Sequence, residues 1–142
     1  MKRLLPLLFL LIPCAFANES PVGLWRTIDD ETGEAKSLVR ISRDKDGTLK
    51  GVVEQILAPD RRDRVCEECE GERRDQPILG MTILWGFKPN KNKWSGGEIL
   101  DPNNGKIYSA HLRLRKHGQV LDVRGYIGIS LIGRSQLWQR VK

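Results

Sequence analysis

Period-two alternation, cut at short intervals by turn residues, is what most limits the folds open to this chain. Tyr108, Ala110, Leu112 and Leu114 alternate with Ser109, His111, Arg113 and Arg115, the pattern of a half-buried strand. Weaker alternation runs through Leu38–Ser42, Leu49–Leu57 and Leu121–Tyr126. Between these runs stand Asp29-Asp-Glu-Thr-Gly33, Arg43-Asp-Lys-Asp-Gly47, Asp101-Pro-Asn-Asn-Gly105 and Lys116-His-Gly118. Asp, Asn and Gly satisfy the local hydrogen bonds and positive φ angles of tight reversals. The rhythm predicts eight strands, at about 24–29, 35–43, 48–58, 78–87, 93–100, 106–116, 119–126 and 134–141. Eight antiparallel strands joined in sequence remove their free edges by closing, so the expected fold is all-β, an up-and-down barrel. Two segments break the rhythm: a long charged loop from Pro59 to Pro77, and the Gly128–Gly133 connection.

The N-terminus points to export. Lys2 and Arg3 precede an apolar stretch, Leu4 to Ala15, that is too short to span a bilayer, and Ala15-Phe16-Ala17 is an A-x-A cleavage site. Residues 1–17 are therefore expected to be a signal peptide and 18–142 a single domain, periplasmic or secreted. A rival, lipidation of Cys14, is disfavoured because Pro13 stands where a small residue is expected. The chain is basic, with net charge +6, and unevenly so: residues 18–77 are net acidic and 78–142 net basic. That split raises a second possibility, contact with an anionic envelope surface, although a solvated face is the favoured explanation of it. Nucleic acid is not an expected partner, since no aromatic-and-basic recognition motif occurs and the chain is exported. The sequence leaves the oligomeric state open.

Cys66-Glu-Glu-Cys69 lies in the long loop. In an oxidising compartment a disulfide is expected, worth about 2 kcal/mol for so short a loop. Redox chemistry is disfavoured, because Glu67, Glu68, Glu70 and Glu72 would raise the thiol pKa rather than lower it. Zinc is disfavoured because no second ligand pair accompanies the first. No nucleophile or metalloprotease motif is present, and His111 and His117 both fall at surface positions, so no catalytic residue, metal or cofactor is expected.

Gly23-Leu-Trp25 opens the first strand and Trp138-Gln-Arg140 closes the last. In a closed meander these strands are neighbours, and Arg140 is expected over the face of Trp25, a cation–π contact worth roughly 0.5–2 kcal/mol. The G-x-W with a late arginine resembles the signature of lipocalin-like (calycin) barrels, where it seals one barrel end. Trp85, Phe87, Trp94, Tyr108 and Tyr126 could line an interior pocket, with Trp85 and Phe87 facing the same side by parity, and Arg124 and Arg134 could serve as its polar anchors. The ordered set Gly23-Leu-Trp25, Cys66–Cys69, Pro77-Ile-Leu-Gly-Met81, Trp94-Ser-Gly-Gly-Glu98, Asp101-Pro-Asn-Asn-Gly-Lys106, Val123-Arg-Gly-Tyr-Ile-Gly128 and Gly133-Arg-Ser-Gln-Leu-Trp138 resembles the secreted bacterial domain-of-unknown-function family 2147. That resemblance implies an exported protein of unassigned activity and carries over no catalytic residues. The expected function is non-enzymatic binding of a small apolar or amphipathic ligand.

Overall fold

The computed structural model describes residues 2–4, 6, 8, 20–128 and 133–141. Most of the expected signal peptide, including Cys14 and the cleavage site, lies outside these residues, as does most of the Gly128–Gly133 connection. Among the described residues no helix is long and apolar enough to cross a membrane.

Eight strands form one closed antiparallel barrel: β1 (Gly23–Ile28), β2 (Ala35–Arg43), β3 (Leu49–Ile56), β4 (Thr82–Asn90), β5 (Lys93–Asp101), β6 (Lys106–Arg115), β7 (Val120–Tyr126) and β8 (Gly133–Arg140). Each pairs with its sequence neighbours, and β1 meets β8 through Trp25↔Arg140 and Arg26↔Gln139. The turns behave as their residues predict. Asp29 Oδ1 accepts the backbone N–H groups of Glu31 and Thr32, and Asp101 Oδ1 accepts that of Asn103. Two turns of 3₁₀ helix, Pro59–Arg61 and Gly71–Arg73, punctuate the long loop.

The fourth strand departs from expectation at both ends. It starts at Thr82 rather than residue 78, because Ile78–Met81 closes a turn through Met81 N–H to Ile78 O. It then runs through Pro89 to a two-residue hairpin. A proline is tolerated there because β3 pairs with β4 no further than Leu49↔Phe87, so no ladder donor is lost.

Alternation divides the barrel wall into two faces. Val39, Ile41, Val53, Ala110, Leu112, Leu121 and Val123 are buried inside. Gly86, at φ 80°, interrupts this alternation in β4 and faces a second break at Gly96 in β5. Such bulges reverse the facing of the residues that follow. Leu84 and Phe87 therefore both point inward, three residues apart. Trp85, opposite the exposed Glu98, lies on the outer wall. The expectation that Trp85 and Phe87 share a side is thereby corrected.

The two barrel ends differ. At the closed end, Arg140 lies over Trp25, its Cζ 4.3 Å from the ring centroid. Its guanidinium donates to the carbonyls of Gly118, Val22 and Ser20 at 2.7, 3.0 and 2.7 Å. The Trp25 indole donates to Pro21 O at 2.7 Å. Trp25 and Arg140 thus tie the first and last strands to the incoming chain. Phe87, Leu49, Leu112 and Leu121 fill the interior of this half. The other end carries the β1–β2, β3–β4 and β5–β6 connections, and among the described residues it is open.

Candidate functional site

A cavity of about 690 Å³ occupies the open half of the barrel. Its wall is mixed: Val53, Ile83, Ile99 and Val123, with Tyr108 and Trp138, supply an apolar part, and charged and polar side chains supply the rest. The register explains the space. Gly97 pairs with Ala110, Ala110 with Gly125, and Gly125 with Arg134, so three of four neighbouring strands place a residue with little or no side chain at one interior level. Phe87 fills the level at Gly97, where a Cβ would lie 2.6 Å from its ring. The level at Gly125 borders the cavity, and a Cβ there would meet Ile99 and Tyr108 at an ordinary 3.6 Å.

Polar groups gather at the mouth. Arg134 forms an ion pair with Asp30 across the gap between β8 and the β1–β2 turn, donating through Nη2 to Asp30 Oδ1 at 2.6 Å, and reaches Glu31 at 3.3 Å. Gln136 donates to Asp30 at 3.4 Å and accepts from the Trp138 indole at 3.0 Å. β1 and β8 pair only near the closed end, so these side chains bridge the strands where their backbones part. The Arg134 guanidinium holds the Asp30 carboxyl below the usual aspartate range, and Asp30 in turn raises the Arg134 pKa. Asp29 is also lowered, by the backbone N–H groups of Thr32 and Glu31. The hydroxyl of Tyr108 accepts from Asn104 Nδ2 at 3.0 Å.

Of the residues singled out from sequence, Tyr108 and Arg134 line this cavity. Phe87 is buried beneath it, and Trp94 is partly buried against the packed half, opposite Leu112. The other three lie on the outer wall. Trp85 has the Arg73 guanidinium 4.7 Å from its ring centroid. Arg124 sits between His111 and Ser135, donating to the Ser135 hydroxyl at 3.4 Å. Tyr126 packs on His111 with centroids 5.9 Å apart. Burial first, then the nearby charges of Lys93 and Arg113, lower the His111 pKa. Sequence reasoning passed over Asp30 and Gln136, and also Ile83 and Ile99. Asp30 looks like any solvated turn carboxylate until the barrel brings it to Arg134.

The Cys66–Cys69 disulfide is formed. It pins the long loop against the β5–β6 turn, where Cys66 Sγ lies 3.6 Å from Pro102 O and Arg64 donates to Asn103 Oδ1 at 3.1 Å. A Cβ on Gly105, at φ 70°, would lie 2.0 Å from Glu68 O, so this contact requires glycine. Among the described residues, no group of three or more His, Cys, Asp or Glu side chains is placed to hold a metal.

The model of a family described as uncharacterized proteins conserved in bacteria, domain-of-unknown-function family 2147, matches residues 23–140. The chain belongs to this family. No curated protein matches it. Among solved structures, this chain is similar to protein HP1028 from Helicobacter pylori, described as belonging to the lipocalin family. The two superpose at TM-score 0.74 over 87% of this chain and 84% of that one, with 17% identity. At that identity the likeness establishes a shared fold. The barrel of this family 2147 chain is lipocalin-like, and the fold by itself assigns no activity.

Proposed function

We propose that this protein is an exported, non-enzymatic carrier or receptor of a small amphipathic ligand, taken with its apolar part inside the barrel and its polar part at the mouth. The observation that carries this reading is the cavity, in which an aliphatic wall meets a cluster of charged and polar side chains. Its volume lies inside the range of roughly 300–1,000 Å³ typical of small-molecule sites. Its lining carboxylates are engaged, Asp29 and Asp101 by the backbone N–H groups of their own turns, Glu34 by Lys36 and Glu31 by Arg134, which favours binding over acid–base chemistry. The contrasting idea, a basic outer face for envelope polymers, draws less support. The cations of the second half are spread over the closed-end turns, the outer wall and the mouth, and Arg115 and Arg134 carry carboxylate partners.

Native mass spectrometry of protein purified from its own periplasm tests the proposal, with Gly125→Leu as the control. A leucine Cβ fits at position 125 without a clash, so its remaining carbons enter the cavity. A small-molecule adduct is expected on the native chain and not on the folded variant. An adduct that survives Gly125→Leu places the ligand elsewhere and refutes the cavity as its site. Export predicts a mature N-terminus at Asn18, which the same mass measurement reads.

A further inference from the structure

Resting on that reading of the cavity, we infer that its ligand carries an anionic head, a carboxylate or phosphate on a single apolar chain, held by Arg61 and Arg64. The formal charges lining the mouth are balanced, with Lys36, Arg61, Arg64 and Arg134 against Asp29, Glu31, Glu34 and Asp101. They are not equivalent in what they can still bind. Glu34 pairs with Lys36 at 3.0 Å and Glu31 with Arg134 at 3.3 Å. Asp29 and Asp101 are tied to the backbone N–H groups of their own turns.

The two remaining cations have no carboxylate partner among the described residues. Arg64 shares one N–H with the neutral Asn103, and among the described residues no side chain engages Arg61. Arg64 N–H donates to Arg61 O at 3.1 Å, continuing the 3₁₀ turn. That geometry sets side chains three residues apart on the same side. Both arginines line the cavity, while the intervening Arg62 and Asp63 do not. Their backbone is held in place. Arg64 O accepts the Ile78 N–H at 3.0 Å, and the adjacent disulfide loop is pinned against the β5–β6 turn. Two guanidinium groups on a fixed turn beside an aliphatic chamber are suited to bidentate capture of a carboxylate or phosphate.

Isothermal titration with four probes of one chain length tests this: dodecanoate, dodecyl phosphate, 1-dodecanol and dodecyltrimethylammonium, each below its micellar concentration. The anionic probes are expected to bind about tenfold more tightly than the alcohol. Arg61→Gln/Arg64→Gln should erase that preference while the alcohol's affinity stays as it was. Dodecanoate against dodecyl phosphate then tells which anion is favoured. An alcohol or ammonium probe that matches both anions, or a preference that survives the double substitution, overturns the head-group assignment and leaves the amphiphile cavity standing. Failure of all four probes to bind overturns both.

Discussion

Gly97→Ala is the substitution whose cost the structure fixes most directly. The new Cβ would lie 2.6 Å from Cδ2 and Cγ of Phe87 and 2.7 Å from Cδ1. Carbon atoms in contact prefer about 3.5–4.0 Å, so ring or strand must move by roughly 1 Å. The ring has no solvent to move into, because Phe87 is fully buried. The backbone has little freedom either, since Gly97 is paired with Ala110. Overpacking of this kind costs about 1–3 kcal/mol. For a domain of this length that lowers the melting temperature by roughly 4 °C per kcal/mol. The mechanism makes a sharper claim than the magnitude does. Phe87→Leu removes the ring and is itself destabilising by about 1–2 kcal/mol. Adding Gly97→Ala to it should then cost little, leaving a coupling of at least about 1 kcal/mol. Urea titration of the four chains of the cycle, with the disulfide oxidised, measures this. Strictly additive costs, or a Gly97→Ala chain within about 0.5 kcal/mol of the parent, would refute the view that Phe87 occupies space vacated by glycine.

Two further perturbations address the two barrel ends. The Asp30 carboxyl is held below its unfolded value by Arg134, so its contribution is present above about pH 4 and is lost as pH falls through the lower folded value. The Arg134 side chain is 57% exposed, so screening keeps the contribution to about 0.5–1 kcal/mol. Thermal melts across pH should show Asp30→Asn less stable than the parent at neutrality and equal to it in acid; a difference that grows in acid contradicts the pairing. At the closed end, Arg140→Met should cost about 2–4 kcal/mol, because three carbonyls and the Trp25 face lose one guanidinium. Arg140→Lys should not restore the loss, since an ammonium lacks the planar fork, and full rescue by lysine would show that charge alone matters.

The strand plan was legible because its signals are local. Alternation in Lys106–Arg115 and the Asp–Gly turns concern residues a few positions apart, and backbone geometry gives them little choice. The Trp25–Arg140 contact was legible at long range for a different reason. A closed meander makes the first and last strands neighbours whatever lies between. The start of β4 was misplaced because Ile78-Leu79-Gly80-Met81 is apolar like a strand. Burial of Ile78 and Met81 beside the core does not require them to be extended.

The site resisted sequence reasoning because it is defined by side chains that are missing, and missing volume has no local signature. Gly97, Ala110 and Gly125 lie on three successive strands and share an interior level only once the register is known. Separately, each is an unremarkable small residue in a strand. Whether the space they leave is filled depends on one further event, the reversal of facing at Gly86. Parity alone keeps Trp85 and Phe87 together, either both lining a pocket or both outside. The bulge parts them, sending Trp85 out to stack with Arg73 and Phe87 in to cover Gly97. One ring closes the lower half of the barrel, and the upper half, bordered by Gly125, remains open beneath Arg61, Arg64 and Arg134. A chain with its bulge one residue earlier or later would keep the same eight strands and the same closing arginine, yet present a different interior. In this chain the turn and closure residues therefore specify the barrel, while the placement of the β4 and β5 glycines sets how much of its interior is filled.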